Sequence, residues 1–233
     1  MTIVDRGSDF GVDWVDVTIE PHHVEQFGDA DVRIYEATIP PGGATLFHRH
    51  TFDTLYVVTA GGRFRSEEPG HQNPGTRPGR STPLLRQLWW LLARKLGGGW
   101  ISMPTGTLIA QPHRTHPLIH RVVGDPGNAA PIRMLGVELH RDRPTSGALP
   151  SAPGIRVQNP GHRWPAYRLT APAGGRPLEV ELAGGGVLVV VAGEASVENG
   201  GHVHDVRPGQ AVRLPLGRNA IRSDQLDAVL VPL

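Results

Sequence analysis

The 233-residue chain contains no cysteine, which excludes disulfides, thiolate metal ligands and a cysteine nucleophile. It has no excess of charge. Its 23 Lys+Arg against 22 Asp+Glu leave +1, so no global field draws it to nucleic acid or to a membrane surface. No apolar run approaches the length of a membrane span. The first residues, MTIVDRGSDFGVDW, include acidic side chains and lack the apolar h-region of a secretory signal, so a cytoplasmic address is expected. With 39% apolar and 19% charged residues, the composition is that of a soluble globular protein. The length suffices for one large β domain or two small ones.

What the chain does have is punctuation. Its 30 glycines and 22 prolines fall between short β-rich runs such as VRIYEATI, TLYVV, IRMLGVEL, GVLVVVAG and AVLVPL, a pattern that predicts an all-β fold. One segment alone, STPLLRQLWWLLARKL, has a helical period. The helix is expected over 82–96, with Ser81 or Thr82 as N-cap, Pro83 in the first turn and Gly97 to Gly99 ending it.

The stretch GGATLFHRHTFDTLYVVTAGG places His48 and His50 one residue apart in an apolar run between glycine pairs. In a strand the two share a face, with Thr54 and Tyr56 on the same parity and Asp53 on the other. Alone, the pair could be two polar residues on the outside of a half-exposed strand. Its surroundings point elsewhere. Gly42, His48, His50, Thr54 and Gly61 fall on the spacing G-x5-H-x-H-x3-E-x6-G, the first motif of the cupin family, with Thr54 at the glutamate position. The second cupin motif, G-x5-P-x-G-x2-H-x3-N, begins at Gly106 and Pro112 and then runs into PHRTHPLIHRVVG, which offers His113, His116 and His120 where the family has one histidine. His120 is preferred as ligand because it aligns the following residues with the family's closing strands. His116 and His113 stay open as substitutes, or as loop and rim residues.

The same spacing recurs in the C-terminal third. Gly174, Val180, Leu182, Gly186 and Gly193 fit the first motif, and Gly209, Pro215, Gly217 and Ala220 fit the second. No ligand position there carries a side chain able to bind metal. The copies are offset by 132 residues at the first motif and 103 at the second, so the first copy carries 29 extra residues. The chain therefore resembles a bicupin, which implies two double-stranded β-helix (jelly-roll) barrels. The expected division is 1–142 for a barrel with a metal site and an inserted loop and helix at 66–98, 143–165 for a linker, and 166–233 for a degenerate barrel. The helix could dock on its own barrel, cover the barrel mouth or form a dimer contact. A membrane-surface role is the least expected of these.

A small barrel holds side chains or one small ligand, so His48, His50 and a later histidine can converge inside it. Neutral imidazole suits Zn, Cu, Fe and Ni. The resemblance implies a divalent transition metal, Fe(II) first, with Zn, Ni or Mn as alternatives. Threonine at position 54 implies a three-histidine centre of the kind found in the family's thiol and diketone dioxygenases. Asp53 could restore a carboxylate if a bulge re-aims it. Tyr56 is an acid/base candidate or a wall tyrosine, and Glu138 is an acid/base candidate or a ligand-orienting group if it faces inward. His22 and His23 are read as surface residues, with no ligand set to join. The functional expectation is a metal-dependent oxidation of a small oxygen-bearing organic substrate. Lewis-acid isomerase, cyclase or lyase chemistry is one alternative, and a non-catalytic small-molecule-binding protein is the other.

Overall fold

A computed structural model describes residues 6–9, 11–69, 99–141, 152–159, 163–171, 175–223 and 225–233. The helix expected over 82–96 lies outside them, as do the rest of the insertion after residue 69 and much of the 143–165 linker.

The first half contributes β1 (Arg6–Asp9), β2 (Val12–Asp16), β3 (His23–Gly28), β4 (Val32–Ile39), β5 (His48–His50) and β6 (Asp53–Ala60). It continues with β7 (Gly62–Glu67), β8 (Ile101–Met103), β9 (Leu108–Gln111), β10 (Leu118–Gly124) and β11 (Ile132–Leu139). The second half contributes β12 (Ile155–Val157), β13 (Tyr167–Ala171), β14 (Leu178–Leu182), β15 (Gly186–Ala192) and β16 (Ala195–Asn199). It ends with β17 (His202–Val206), β18 (Ala211–Leu214), β19 (Gly217–Ser223) and β20 (Leu226–Pro232).

Each half forms two sheets, and the strand orders match. The order β3-β4-β11-β6-β9 in the first half corresponds to β12-β13-β20-β15-β18 in the second. Likewise β5-β10-β7-β8 corresponds to β14-β19-β16-β17, with β1 and β2 added outside β5 in the first half only. The duplication expected from the motifs is thus a duplication of topology. The boundaries shift in two places. Ile155–Val157, assigned by composition to the linker, pairs with β13 as the first strand of the second barrel. Ser66 and Glu67, assigned to the insertion, complete β7 and pair with β10.

Periodicity explains how the two halves meet. In β15, Leu188 and Val190 pack into their own barrel with Leu169, Val180 and Leu182. Val187, Val189 and Val191 face the other way, into one core with Ile34, Leu55, Val57, Leu135 and Val137 of the first half. A strand buried on both faces needs no polar alternation, and so VLVVV reads as an unbroken apolar run. The two five-stranded sheets therefore share a core. The interior of the first barrel holds a third cluster, with Tyr35, Ile39, Tyr56, Phe64, Val122 and Met134 among its members.

Candidate metal centre

Five histidines line a cavity of about 80 Å³ inside the first barrel: His23, His48, His50, His113 and His120. Each arrives by a local rule. His48 and His50 alternate with Arg49 on β5 and are fully buried, with Arg49 partly exposed. Across the antiparallel ladder His120 of β10 sits opposite His48, and Leu118 opposite His50. Directly opposed residues share a face, so the ladder aims both rings inward. The ring centroids of His48 and His120 lie 4.6 Å apart, and those of His50 and His120 5.2 Å apart.

His48 and His120 hold their rings by one nitrogen each. His48 Nδ1–H donates to the Leu46 carbonyl at 2.9 Å, and His120 Nδ1 meets Ser66 Oγ at 2.8 Å. Both Nε2 atoms are buried without a hydrogen-bond partner. Leaving a buried polar atom unsatisfied costs about 1–3 kcal/mol, so two in one cavity suit donors that await an acceptor of lone pairs. Burial, reinforced by neighbouring histidines, depresses the His48 pKa to about 3 and holds His50 and His120 well below the usual value. These rings are neutral at physiological pH, the form that ligates metal.

Two side chains read as peripheral prove central. His113, offered as a loop or rim residue, is buried and stacks on His50 with centroids 4.9 Å apart. Burial lowers its pKa to about 4. His23, read as a surface residue, is 5% exposed in its side chain. It offers a nitrogen within 4.8 Å of one from His48 and one from His50. Among the described residues, these three offer ligand atoms that all lie within 4.8 Å of one another; His120 is outside that mutual set, although its ring centroid is 4.6 Å from that of His48.

The misreading of His23 has a physical cause. EPHH forms a turn with Pro21 second, closed by His23 N–H donating to the Glu20 carbonyl at 3.0 Å. The turn leads into β3, whose pairing with β4 sets His23 opposite Ala37, on the barrel wall. Glu20 is itself buried. Its carboxylate accepts from His23 Nδ1 at 2.5 Å, from His22 Nδ1 at 3.1 Å and from the Leu46 backbone at 3.0 Å. Burial alone would raise its pKa, but these partners pull it down to about 2. A signal was present in the proline turn and the adjacent acid, but the contacts are made across the fold.

Tyr56 lines the cavity as its parity predicts. Its hydroxyl lies 3.2 Å from His50 Nδ1 and 3.5 Å from His113 Nε2, and it accepts from Tyr35 Oη at 3.3 Å. Burial raises the pKa of both tyrosines, keeping the hydroxyls protonated. Thr54 is buried, and its hydroxyl donates to the Phe52 carbonyl at 3.0 Å. Asp53 does not supply the missing carboxylate to the cavity. It accepts from the Arg114 backbone at 3.0 Å and faces Arg163 at 3.5 Å. Glu138, expected as an acid/base or ligand-orienting group if it faced inward, is buried but is not among the residues that line the cavity. Its carboxylate accepts from Arg33 at 2.8 and 3.1 Å and from His140 Nε2 at 3.0 Å. Those partners outweigh the opposing effect of burial and lower its pKa, so it stays ionised and serves the Arg33 pair.

In the second barrel, Val180 and Leu182 stand where His48 and His50 do and pack into its core. Val180 pairs with Asn219, as His48 pairs with His120. The counterpart of His120 is therefore Asn219, one residue before the expected Ala220. Asn219 is buried and spends its amide on the Pro215 and Gly217 carbonyls.

No protein-family model matches this sequence, and no curated protein matches it. Solved structures do. AerE from Microcystis aeruginosa aligns over 92% of this chain and 98% of its own, with a TM-score of 0.56 at 8% identity. Salicylate 1,2-dioxygenase from Pseudoaminobacter salicylatoxidans, in complex with gentisate, aligns over 90% of this chain and 73% of its own, with a TM-score of 0.57 at 13% identity. Procruciferin, an 11S globulin from Brassica napus, aligns over 86% and 75%, with a TM-score of 0.50 at 14% identity. At such identities the likeness speaks to fold alone, and the fold is that of the cupins, built twice.

Proposed function

We propose that the first barrel of this bicupin fold is the site of a metal-dependent enzyme that oxidises a small oxygen-bearing organic substrate with dioxygen. His48, His50 and His120 would hold a divalent transition metal, with Fe(II) favoured and Zn, Ni or Mn as alternatives. The observation that carries this reading is the pair of buried, unpartnered Nε2 atoms of His48 and His120, facing a cavity shared with three more histidines. When bound, iron would supply the redox chemistry that the side chains lack. The residues around it fit a substrate with anionic oxygens, because neutral imidazoles leave the charge of a cation undiminished. Ile39, Phe64, Met103, Ile109 and Val122 make much of the wall apolar. Tyr56 holds a proton on its hydroxyl beside His50 and could donate it to a substrate oxygen. The likeness of fold to a salicylate dioxygenase is compatible with this reading.

A second reading, proton-transfer chemistry assisted by a metal as Lewis acid, is favoured by one observation. The Tyr56 hydroxyl links Tyr35, behind the cavity wall, to His113, and Tyr56 and His113 both line the cavity. The two separate in one assay. Protein reconstituted anaerobically with Fe(II) is mixed with a panel of small hydroxy acids, diketones and thiols while oxygen uptake is followed. Substrate-dependent uptake, lost in His120→Ala, supports oxidation. Product without uptake supports the second reading, and binding without product reduces the barrel to a binding module.

A further inference from the structure

The cupin resemblance places a glutamate where this chain has Thr54, whose hydroxyl is engaged with the Phe52 carbonyl. A three-histidine centre would follow if nothing replaced it. His23 stands where a replacement could act. Its side chain is 5% exposed, its ring centroid lies 4.5 Å from that of His48, and one of its nitrogens falls within 4.8 Å of donors on His48 and His50. One nitrogen of the ring is already used. Nδ1 donates to Glu20 Oε2 at 2.5 Å, which leaves the Nε2 lone pair free for a cation. A carboxylate behind a ligating imidazole fixes its tautomer and raises its basicity, and loss of such a partner costs 10–100-fold in metal affinity.

We propose that His23 is a fourth histidine ligand of the centre, contributed by β3, and that buried Glu20 is its positioning residue. Glu20 supports two of the ligand histidines at once. It holds His23 directly, and through the Leu46 N–H it anchors the residue whose carbonyl orients His48. The carboxylate absent at position 54 thus reappears behind the ligands, and the cation keeps an all-imidazole set. This inference rests on the metal reading of His48, His50 and His120 and adds a ligand to it.

The test uses the full chain with Co(II) as probe, its affinity measured by chelator competition and its visible spectrum recorded. Wild type is expected to bind about one Co(II) per chain. His48→Ala should lose it. His23→Gln and His23→Ala should bind about 10–1,000-fold more weakly with an altered spectrum, and imidazole added to His23→Ala should restore the spectrum. Glu20→Gln should weaken binding about 10–100-fold. Should the His23 and Glu20 variants misfold by circular dichroism, pulsed EPR of Cu(II)-loaded wild type counts the coordinated imidazoles, and four are expected. Unchanged affinity and spectrum in the His23 variants overturn His23 as a ligand, and three imidazoles in wild type overturn the four-histidine set, while the metal site stands in either case. Wild type that binds no Co(II) overturns both.

Discussion

Glu20 and Glu138 are both buried carboxylates of the first barrel, and their neighbours give them different work. Glu138 forms a two-pronged pair with Arg33, which stacks over the Tyr35 ring. Breaking one partner of a buried pair strands the other, a loss of roughly 3–5 kcal/mol. Glu138→Gln should therefore lower the urea midpoint strongly, while each remaining folded chain keeps its metal. Loss of metal at unchanged stability would return Glu138 to the site. The histidines carry a pH dependence of definite sign. In the unfolded chain they titrate near 6.5, while in the fold His48 titrates at about 3 and His113 at about 4 because burial disfavours their charged forms. Between those values the unfolded chain binds more protons, so stability falls as pH drops below 6.5. The loss is on the order of 1 kcal/mol per histidine per pH unit. Chelator-treated protein should show this between pH 7 and pH 5 in denaturant midpoints; a flat profile would mean the rings are hydrated and not buried.

At the scale of the element, the central strand β11 decides where the tyrosines sit. Gly136 lies between Tyr35 of β4 and Tyr56 of β6 in the ladder. A Cβ there would run into the Tyr35 ring. Gly136→Ala should force Tyr35 aside, breaking its bond to Tyr56 and destabilising the chain by about 1–3 kcal/mol, as overpacking does. The check is a denaturant melt together with the ultraviolet signature of the tyrosines. A strand is also the unit at which the sequence was readable. His48, His50 and Tyr56 share a parity within a few residues, and the two-residue period carries that information. His23 and His113 reach the same cavity from the first residue of β3 and from the turn after β9, where no run of alternating residues marks their facing. Only the pairing of β3 with β4 and of β6 with β9 brings them in. The one-residue displacement of Asn219 from the expected Ala220 is of the same kind, because register across a ladder is not written in either strand alone.

For the whole molecule, the repeated motif made the duplicated fold legible, and the unbroken apolar runs concealed that the copies share a core. Val189 of the second barrel lies in that core with Leu55 and Val137 of the first. Val189→Asp should accordingly destabilise both halves, and tryptophan fluorescence and circular dichroism should report a single transition at a lower urea midpoint. Two separated transitions would show that the barrels unfold independently. The central claim is that the first barrel holds a metal and the second does not. Elemental analysis of the purified full chain tests it most directly. About one transition metal per chain is expected, falling to none in His48→Ala and in His120→Ala while both variants keep their circular dichroism. A folded wild-type chain that carries no metal and takes none up on incubation with Fe(II), Zn, Ni or Mn would contradict it.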